Sequence, residues 1–226
     1  MPKKLIIAID GPAASGKSTT ARLLAGKLDY VYLDTGAMYR ACALQFLRNG
    51  VALSDLPAVE KVLAGIEIKI ELSAGENRIL LNGEDVTSLI RSTEISALAS
   101  AVSALPPVRH KMVELQRIIA GKGGFVLDGR DIGTYVFPDA DIKFFLVAEA
   151  DERARRRLKE LSARGVSTDF DTVLRDLLER DKNDQGRALA PLVAAQDAIR
   201  IDTTNLSIEQ QVEVLFGHIK GMLSGV

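Results

Sequence analysis

One cysteine, Cys42, stands among 226 residues, so an internal disulfide and a thiolate-rich metal site are both excluded. An excess of either charge is missing too: 29 Lys and Arg face 30 Asp and Glu, a formal net charge of -1. That balance gives no electrostatic reason to expect nucleic acid or an anionic membrane as a partner. Long apolar runs are absent, since none approaches the roughly 18 to 20 residues that a membrane span needs. The only histidines, His110 and His218, fall in helical patterns and read as surface residues. No internal repeat or low-complexity stretch occurs. With 47% hydrophobic residues the chain has enough apolar material for one domain with a buried core, or a core carrying a small insert.

What is present is concentrated near the start. An apolar run, Leu5-Ile6-Ile7-Ala8-Ile9, leads into Gly11-Pro12-Ala13-Ala14-Ser15-Gly16-Lys17-Ser18, and a helical pattern follows from Thr19 to Leu28. Strand, Gly-x-x-x-x-Gly-Lys-Ser/Thr and helix, in that order, make a phosphate-binding loop. Glycines let the backbone curl into a nest of N–H groups, and the helix start adds a positive dipole end. Lys17 is the point charge for the outer phosphates, and the Ser18 hydroxyl is suited to ligate magnesium. The chain is therefore expected to bind a nucleoside triphosphate. Met1-Pro2-Lys3-Lys4 is basic, but cleaving the short apolar segment behind it as a signal peptide would destroy the loop. The cytoplasm is the expected compartment, and Cys42 is expected to be a small buried residue on a helix.

Further along, Tyr30–Leu33 reads as a second strand ending in Asp34-Thr35-Gly36, and a helix from Ala37 to about Asn49 follows, stopped by Gly50. A strand, a helix and a parallel strand imply a right-handed crossover, with ligands at the carboxyl ends of the strands. Asp34, Thr35 and Arg40 are accordingly expected at the phosphate loop's crevice. The pattern then changes. Ile66, Ile68 and Ile70 alternate with charged residues, Ala74–Asn77 reads as a turn, and Arg78–Leu81 as a strand. Asn82-Gly83 is a tight-turn dipeptide leading to Glu84-Asp85-Val86, so this stretch is read as an antiparallel insert on one edge of the core. Thr87 to Ser103 looks helical, and Pro106-Pro107 opens a helix carrying Arg109 and ending near Gly121. Phe125–Leu127 is a core strand that delivers Asp128-Gly129-Arg130-Asp131. Ile142–Val147 and Ile199–Ile201-Asp202 are two more strands. Between them lie a basic helix start at 151–157 and a helix from Leu174 to Asp181. Arg153 and Arg157, four apart on one face, are expected to close over the transferring phosphate as a lid. Ser207 caps a last helix that runs to about Met222.

A phosphate loop alone does not separate a kinase from a GTPase or an ATP-driven machine. The guanine-reading Asn-Lys-x-Asp is missing, and Asp128-Gly129-Arg130-Asp131 lacks the Asp-x-x-Gly of a switch loop. Instead there is surplus arginine: Arg40, Arg109, Arg130, Arg180 and Arg187 on separate elements. Lys17, magnesium and loop amides already serve the triphosphate, so planar guanidiniums point to a second anionic substrate, a phosphoryl acceptor. A nucleoside monophosphate acceptor needs no catalytic base. A hydroxyl acceptor more often does, and Asp34 or Asp131 could serve. A regulatory nucleotide-binding module stands as the non-enzymatic alternative.

Five motifs then share a family look. They are Ile9-Asp10-Gly11-Pro12 with the loop, Leu33-Asp34-Thr35-Gly36-Ala37-Met38-Tyr39-Arg40, Asp128-Gly129-Arg130-Asp131, Glu179-Arg180-Asp181, and Arg187-Ala188-x-Ala190-Pro191-Leu192. Together they resemble bacterial cytidylate kinase over nearly the whole chain. The resemblance implies an α/β P-loop three-layer fold with a central parallel sheet, a small antiparallel insert and a short helical lid. It implies one nucleoside monophosphate kinase domain, with core 1–62 and 104–226, an acceptor-binding insert at about 63–103 and a lid at about 150–187. The implied activity is transfer of the ATP γ-phosphate to CMP or dCMP with magnesium, and a monomer is expected. ATP is expected on Gly11, Pro12, Ala13, Ala14, Ser15, Gly16, Lys17, Ser18 and Thr19, with Ser18 or Thr19 toward the metal. Arg40 and Arg130 are implied at the acceptor phosphate, Ser100 and Arg109 at the cytosine edge, and Arg180, Asp184 and Arg187 around sugar and base. Thr35, Tyr39 and Asp131 are implied in the same pocket, and Lys17, Arg130 and Asp131 in catalysis. Some relatives have serine at Thr35 and Lys-Gly-Thr where this chain has Lys17-Ser18-Thr19.

Overall fold

A computed structural model describes residues 4–72 and 77–223. In chain order the strands are β1 Ile6–Asp10, β2 Val31–Asp34, β3 Ile68–Leu72, β4 Asn77–Leu81, β5 Glu84–Asp85, β6 Phe125–Gly129, β7 Ile142–Val147 and β8 Ile199–Asp202. The helices are α1 Lys17–Leu28, α2 Thr35–Arg48, α3 Leu56–Ala64, α4 Thr93–Val102, α5 Pro106–Ala120, α6 Ala150–Ala163, α7 Phe170–Gln185 and α8 Ile208–Leu223. The chain forms two compact units, one of residues up to Tyr32 and from Gly123 on, the other Leu33–Lys122.

The first unit is built on a sheet of order β2-β6-β1-β7-β8. β1 sits at its centre, in parallel register with β6 and β7. Ile7 and Ile9 point to one face, where they join Val126, Phe144, Leu146 and Ile201 beneath Leu24 of α1 and Leu215 and Ile219 of α8. The strands are apolar nearly throughout, as a parallel sheet covered by helices requires. Asp10 lies level with Gly129, so β1 and β6 end together, while β7 runs on past Phe145 to Val147. The connection from β1 runs to β2 on one side and that from β7 to β8 on the other, which opens the crevice where ligands of such sheets bind. Ser207 caps α8 reciprocally: its hydroxyl accepts from the Gln210 amide at 3.3 Å, and its own amide donates to Gln210 Oε1 at 2.8 Å.

The second unit holds the antiparallel sheet β3-β4-β5. Asn82 and Gly83 both adopt positive φ, 50° and 85°, the primed turn that matches strand twist. Helices α2, α4 and α5 bury Met38, Phe46, Ile95, Val102, Met112 and Val113. Cys42 is buried on α2, and burial pushes its thiol up to about 12, so it packs rather than reacts.

Several expected boundaries move. The second helix begins at Thr35, not Ala37, because the Asp34 carboxylate caps it by accepting from the Ala37 amide at 2.8 Å. The helix expected over Thr87–Ser103 is broken: a 3₁₀ turn at Leu89–Arg91 ends at extended Ser92, whose hydroxyl caps α4. The helix placed at Leu174–Asp181 runs from Phe170 to Gln185, capped by Asp169. Helix α3, with its Asp55 cap, had no counterpart in the sequence reading. The turn at Ala74–Asn77 lies, but for Asn77, outside the described residues.

Phe144 is 1% exposed at the centre of the first unit's core. Phe144→Ala is expected to cost about 3–5 kcal/mol, read as a lower denaturant midpoint at unchanged slope.

Candidate active site

The phosphate loop joins the end of β1 to α1, and its shape is forced. Gly11 has φ 152°, and a Cβ there would lie 2.2 Å from the Leu146 carbonyl oxygen. Gly16 has φ 90°, and a Cβ would meet Gln211 Oε1 at 2.7 Å. Ala14 takes the left-handed region at φ 58° without glycine's freedom. No side chain caps α1, so its first-turn amides are left for an anion.

Side chains from distant elements fix this loop. Gln211 accepts from the Thr20 hydroxyl at 2.8 Å, and the Thr203 hydroxyl donates to the Ser15 carbonyl at 2.9 Å. Lys17 is buried and donates to the Pro12 carbonyl at 2.9 Å. Burial pushes its ammonium down to about 7, Arg130 and Arg180 adding to the effect against Asp128 and Asp184. The Ser18 hydroxyl donates to Asp128 Oδ2 at 2.5 Å, and the Tyr32 hydroxyl to Asp128 Oδ1 at 2.8 Å. A hydroxyl and a carboxylate side by side at a phosphate loop fit magnesium, which takes one or two protein oxygens and fills its shell with water and phosphate.

Arg130 follows β6 and is aimed by Asp184: its Nε donates to Asp184 Oδ2 at 2.8 Å and its Nη1 to the Gly129 carbonyl at 3.1 Å. Arg187 Nη2 donates to the other Asp184 oxygen. Burial works to raise Asp184, but Arg130, Arg187 and Arg180 together hold it below the usual carboxylate range. Asp131 is buried where a π-turn, Ile132–Val136, begins. That turn is anchored by Asp10, whose two oxygens accept from the Ile132 and Gly133 amides, each at 2.8 Å. Burial pushes Asp10 up to about 7 although both amides pull it down.

The second unit carries its own set. Asp34, besides capping α2, accepts from Arg40 Nη2 at 2.9 Å. Gly36 leaves room for that pair, since a Cβ there would lie 3.1 Å from Arg40 Nη1. Arg109 is 1% exposed, donates through Nη1 to the Ser103 carbonyl at 3.1 Å and lies 5.7 Å from the centre of the Tyr39 ring. Thr35 is buried on the first turn of α2, and half-buried Ser100 lies on α4.

The structure thus gathers the loop, Arg130, Asp131, Arg180, Asp184 and Arg187 on one unit, and Thr35, Tyr39, Arg40, Ser100 and Arg109 on the other. The lid expectation for Arg153 is not met. Its guanidinium is buried and bonded to the Ala148 and Ala13 carbonyls and to Asp181. Arg157 pairs with Glu160 at 2.8 Å. The sequence reading quoted Asp10 and Asp128 within motifs but gave neither a role of its own, because their partners Ile132, Gly133, Ser18 and Tyr32 are remote in sequence.

A central parallel sheet, a phosphate loop at its switch point and guanidiniums held by carboxylates beside a buried lysine define a P-loop phosphotransferase. Residues 7–221 match the Cytidylate kinase family model, and the chain belongs to that family. It is 52% identical over 209 residues to a cytidylate kinase of Carboxydothermus hydrogenoformans, covering 92% of this chain and 94% of the relative. With a cytidylate kinase of Citrifermentans bemidjiense it shares 47% over 220 residues, 97% and 94% of the two chains. The crystal structure of an uncharacterised Eubacterium ventriosum protein superposes with a TM-score of 0.53 at 14% identity, over 97% of this chain and 99% of the other, and shows the fold alone.

A lysine pushed down to about 7 makes donor binding proton-linked. Polyphosphate charge restores the ammonium, so above pH 7 binding takes up a proton, and below it the lysine is already charged. Calorimetric titration of a non-hydrolysable ATP analogue in buffers of different ionisation enthalpy should show uptake of up to about one proton at pH 8, fading toward pH 6. Lys17→Met should abolish the linkage.

Proposed function

We propose that this chain transfers the γ-phosphoryl group of ATP to CMP or dCMP, releasing ADP and the corresponding diphosphate. The observation that carries this reading is Asp184, a buried carboxylate aiming Arg130 and Arg187 beside a phosphate loop whose Lys17 already serves the donor. Guanidiniums beyond the donor's needs call for a second phosphate, and family membership names its nucleoside.

On the donor side, Gly11 to Thr19 wrap the triphosphate and Lys17 stands at its outer end. Ser18, with Asp128 behind it, would hold magnesium, which would supply charge neutralisation for the donor phosphates. On the acceptor side, Arg40 and Arg130 take the monophosphate. Ser100 and Arg109 read the cytosine edge, where Arg109 can donate to the carbonyl oxygen and ring nitrogen while the amino group needs an acceptor. Thr35 and Tyr39 line that part, and Arg180, Asp184, Arg187 and Asp131 hold sugar and base. The acceptor oxygen attacks in line and arrives substantially deprotonated, so these residues position the reactants and offset charge without abstracting a proton. We read the enzyme as a cytoplasmic monomer. Of its large exposed apolar residues, Leu47, Leu56, Leu89 and Ile118 stand on separate elements, while Val214, Met222 and Leu223 share α8.

A coupled assay of ADP release across CMP, dCMP, UMP, TMP and shikimate tests the reading, with the two cytidine nucleotides expected far ahead. ATP hydrolysis indifferent to any acceptor would overturn it. Arg109→Met should weaken CMP by about 2–4 kcal/mol, leaving a buried base edge unmatched, with ATP affinity nearly intact. Lys17→Ala should lower turnover far more than CMP binding, because the lost charge acts on the donor in the transition state. Both are read from steady-state constants and direct titrations.

A further inference from the structure

One residue of the phosphate loop is gripped on every side by α6 and α7. The Ala13 amide donates to Asp181 Oδ1 at 3.4 Å, and its carbonyl accepts from Arg153 Nη1 at 3.2 Å. Its methyl packs into a small apolar cluster with Ala154, Leu161, Val173 and Leu177, separate from the sheet's core. The same guanidinium bonds Asp181 Oδ2 and, through Nε, the Ala148 carbonyl at 3.1 Å. Arg153 and Asp181 are 6% and 7% exposed, so neither is a solvated surface charge that settled there by chance. Both elements they join matter to chemistry. Ala14, the next residue, is the left-handed kink of the loop at φ 58°. Arg180 precedes Asp181 on α7, and Asp184 lies one turn further on.

We propose that Ala13 is a mechanical joint, and that Arg153 and Asp181 are positioning residues that give the donor loop and the α7 arginine–carboxylate array a single shared geometry. Setting the loop's curvature sets the station of Arg180 and Asp184, and the reverse. Only a planar fork satisfies these acceptors together: a lysine retains the charge and loses the simultaneous bonds. Asp181→Asn removes the charge opposite a buried guanidinium, which weakens the grip without changing its size. Because each substrate biases the same joint, the two sites are thermodynamically linked, and the linkage is reciprocal. The inference rests on the donor and acceptor assignments above.

The test is CMP affinity by calorimetry, with and without a saturating non-hydrolysable ATP analogue, on wild type, Arg153→Lys and Asp181→Asn. Wild type should bind CMP about fivefold or more tighter beside the analogue. In folded variants that ratio should collapse to within about twofold while each ligand still binds, and turnover should fall at least about tenfold through misplacement. A merely structural role would lower melting temperature and leave the ratio intact, and that result overturns the proposal. So does a wild type with no linkage. Should neither variant fold, amide exchange of the wild type decides. Protection of Ala13 that rises on adding CMP alone supports the joint, and protection indifferent to CMP overturns it. A protein with no CMP-dependent ADP release would instead sink the underlying assignment.

Discussion

Like charge has to be crowded where the phosphates will sit, and it has to stay there while they are absent. Lys17 lies within electrostatic reach of Arg130 and Arg180, and the field of those neighbours together with burial is what pushes its ammonium down. Left alone, such a cluster would swing its long side chains into water. Carboxylates hold it instead, Asp184 bonding Arg130 and Arg187; the same device holds Arg153 under the loop through Asp181 and, within the other unit, Arg40 through Asp34. Each carboxylate offers its guanidinium acceptor oxygens of the kind that a phosphate would offer. The buried pairs are weak sources of net stability, because desolvation offsets most of their attraction. Their value is geometric: the donors already stand in place, so little ordering entropy remains to be spent when substrate arrives.

The sheet explains why these groups meet. β1 and β6 end level and β7 runs parallel just beyond them, which brings Gly11, Arg130 and the chain toward α6 to one edge. Strong local signals made this frame legible. β7 coincides with the sequence reading because it is a short, largely apolar run with abrupt polar ends, and β8 because Ile199 and Ile201 alternate with charged residues. Asn82-Gly83 revealed its turn because few residue pairs tolerate two successive positive φ values. The Ser207 cap revealed α8 through its partner three residues on. The family resemblance rested on the same kind of signal, clusters of a few contiguous residues.

What stayed hidden involves partners far apart in sequence or a side chain with two jobs. Asp34 looked like the end of a strand, and it is a helix cap that also holds Arg40. Ser92 sat unremarked inside a helical pattern until its hydroxyl was seen capping the helix that starts after it. Asp128 and Ser18 are separated by 110 positions, and Ala13 and Asp181 by 168. Periodicity carries no information across such spans. Arg153 is the instructive error: an i, i+4 pair of arginines on a helix predicts a shared face, but not whether that face meets solvent, ligand or the underside of a loop.

A division of labour follows within the acidic residues themselves. Asp10 turns both oxygens to backbone amides and Asp184 turns both to guanidiniums, so each carboxylate is engaged in holding structure. Asp128 receives two hydroxyls, Ser18 and Tyr32. A general base requires a carboxylate with a vacant lone pair within reach of the proton it abstracts. These three already hold amides, guanidiniums or hydroxyls in place, and an acceptor that brings its nucleophile already ionised asks no carboxylate to take its proton. A phosphate monoester does so near neutral pH, whereas a sugar hydroxyl does not. The chemistry is then left to charge and alignment, and a site of this kind is sensitive to the angle of a guanidinium in a way that a proton-transfer site is not.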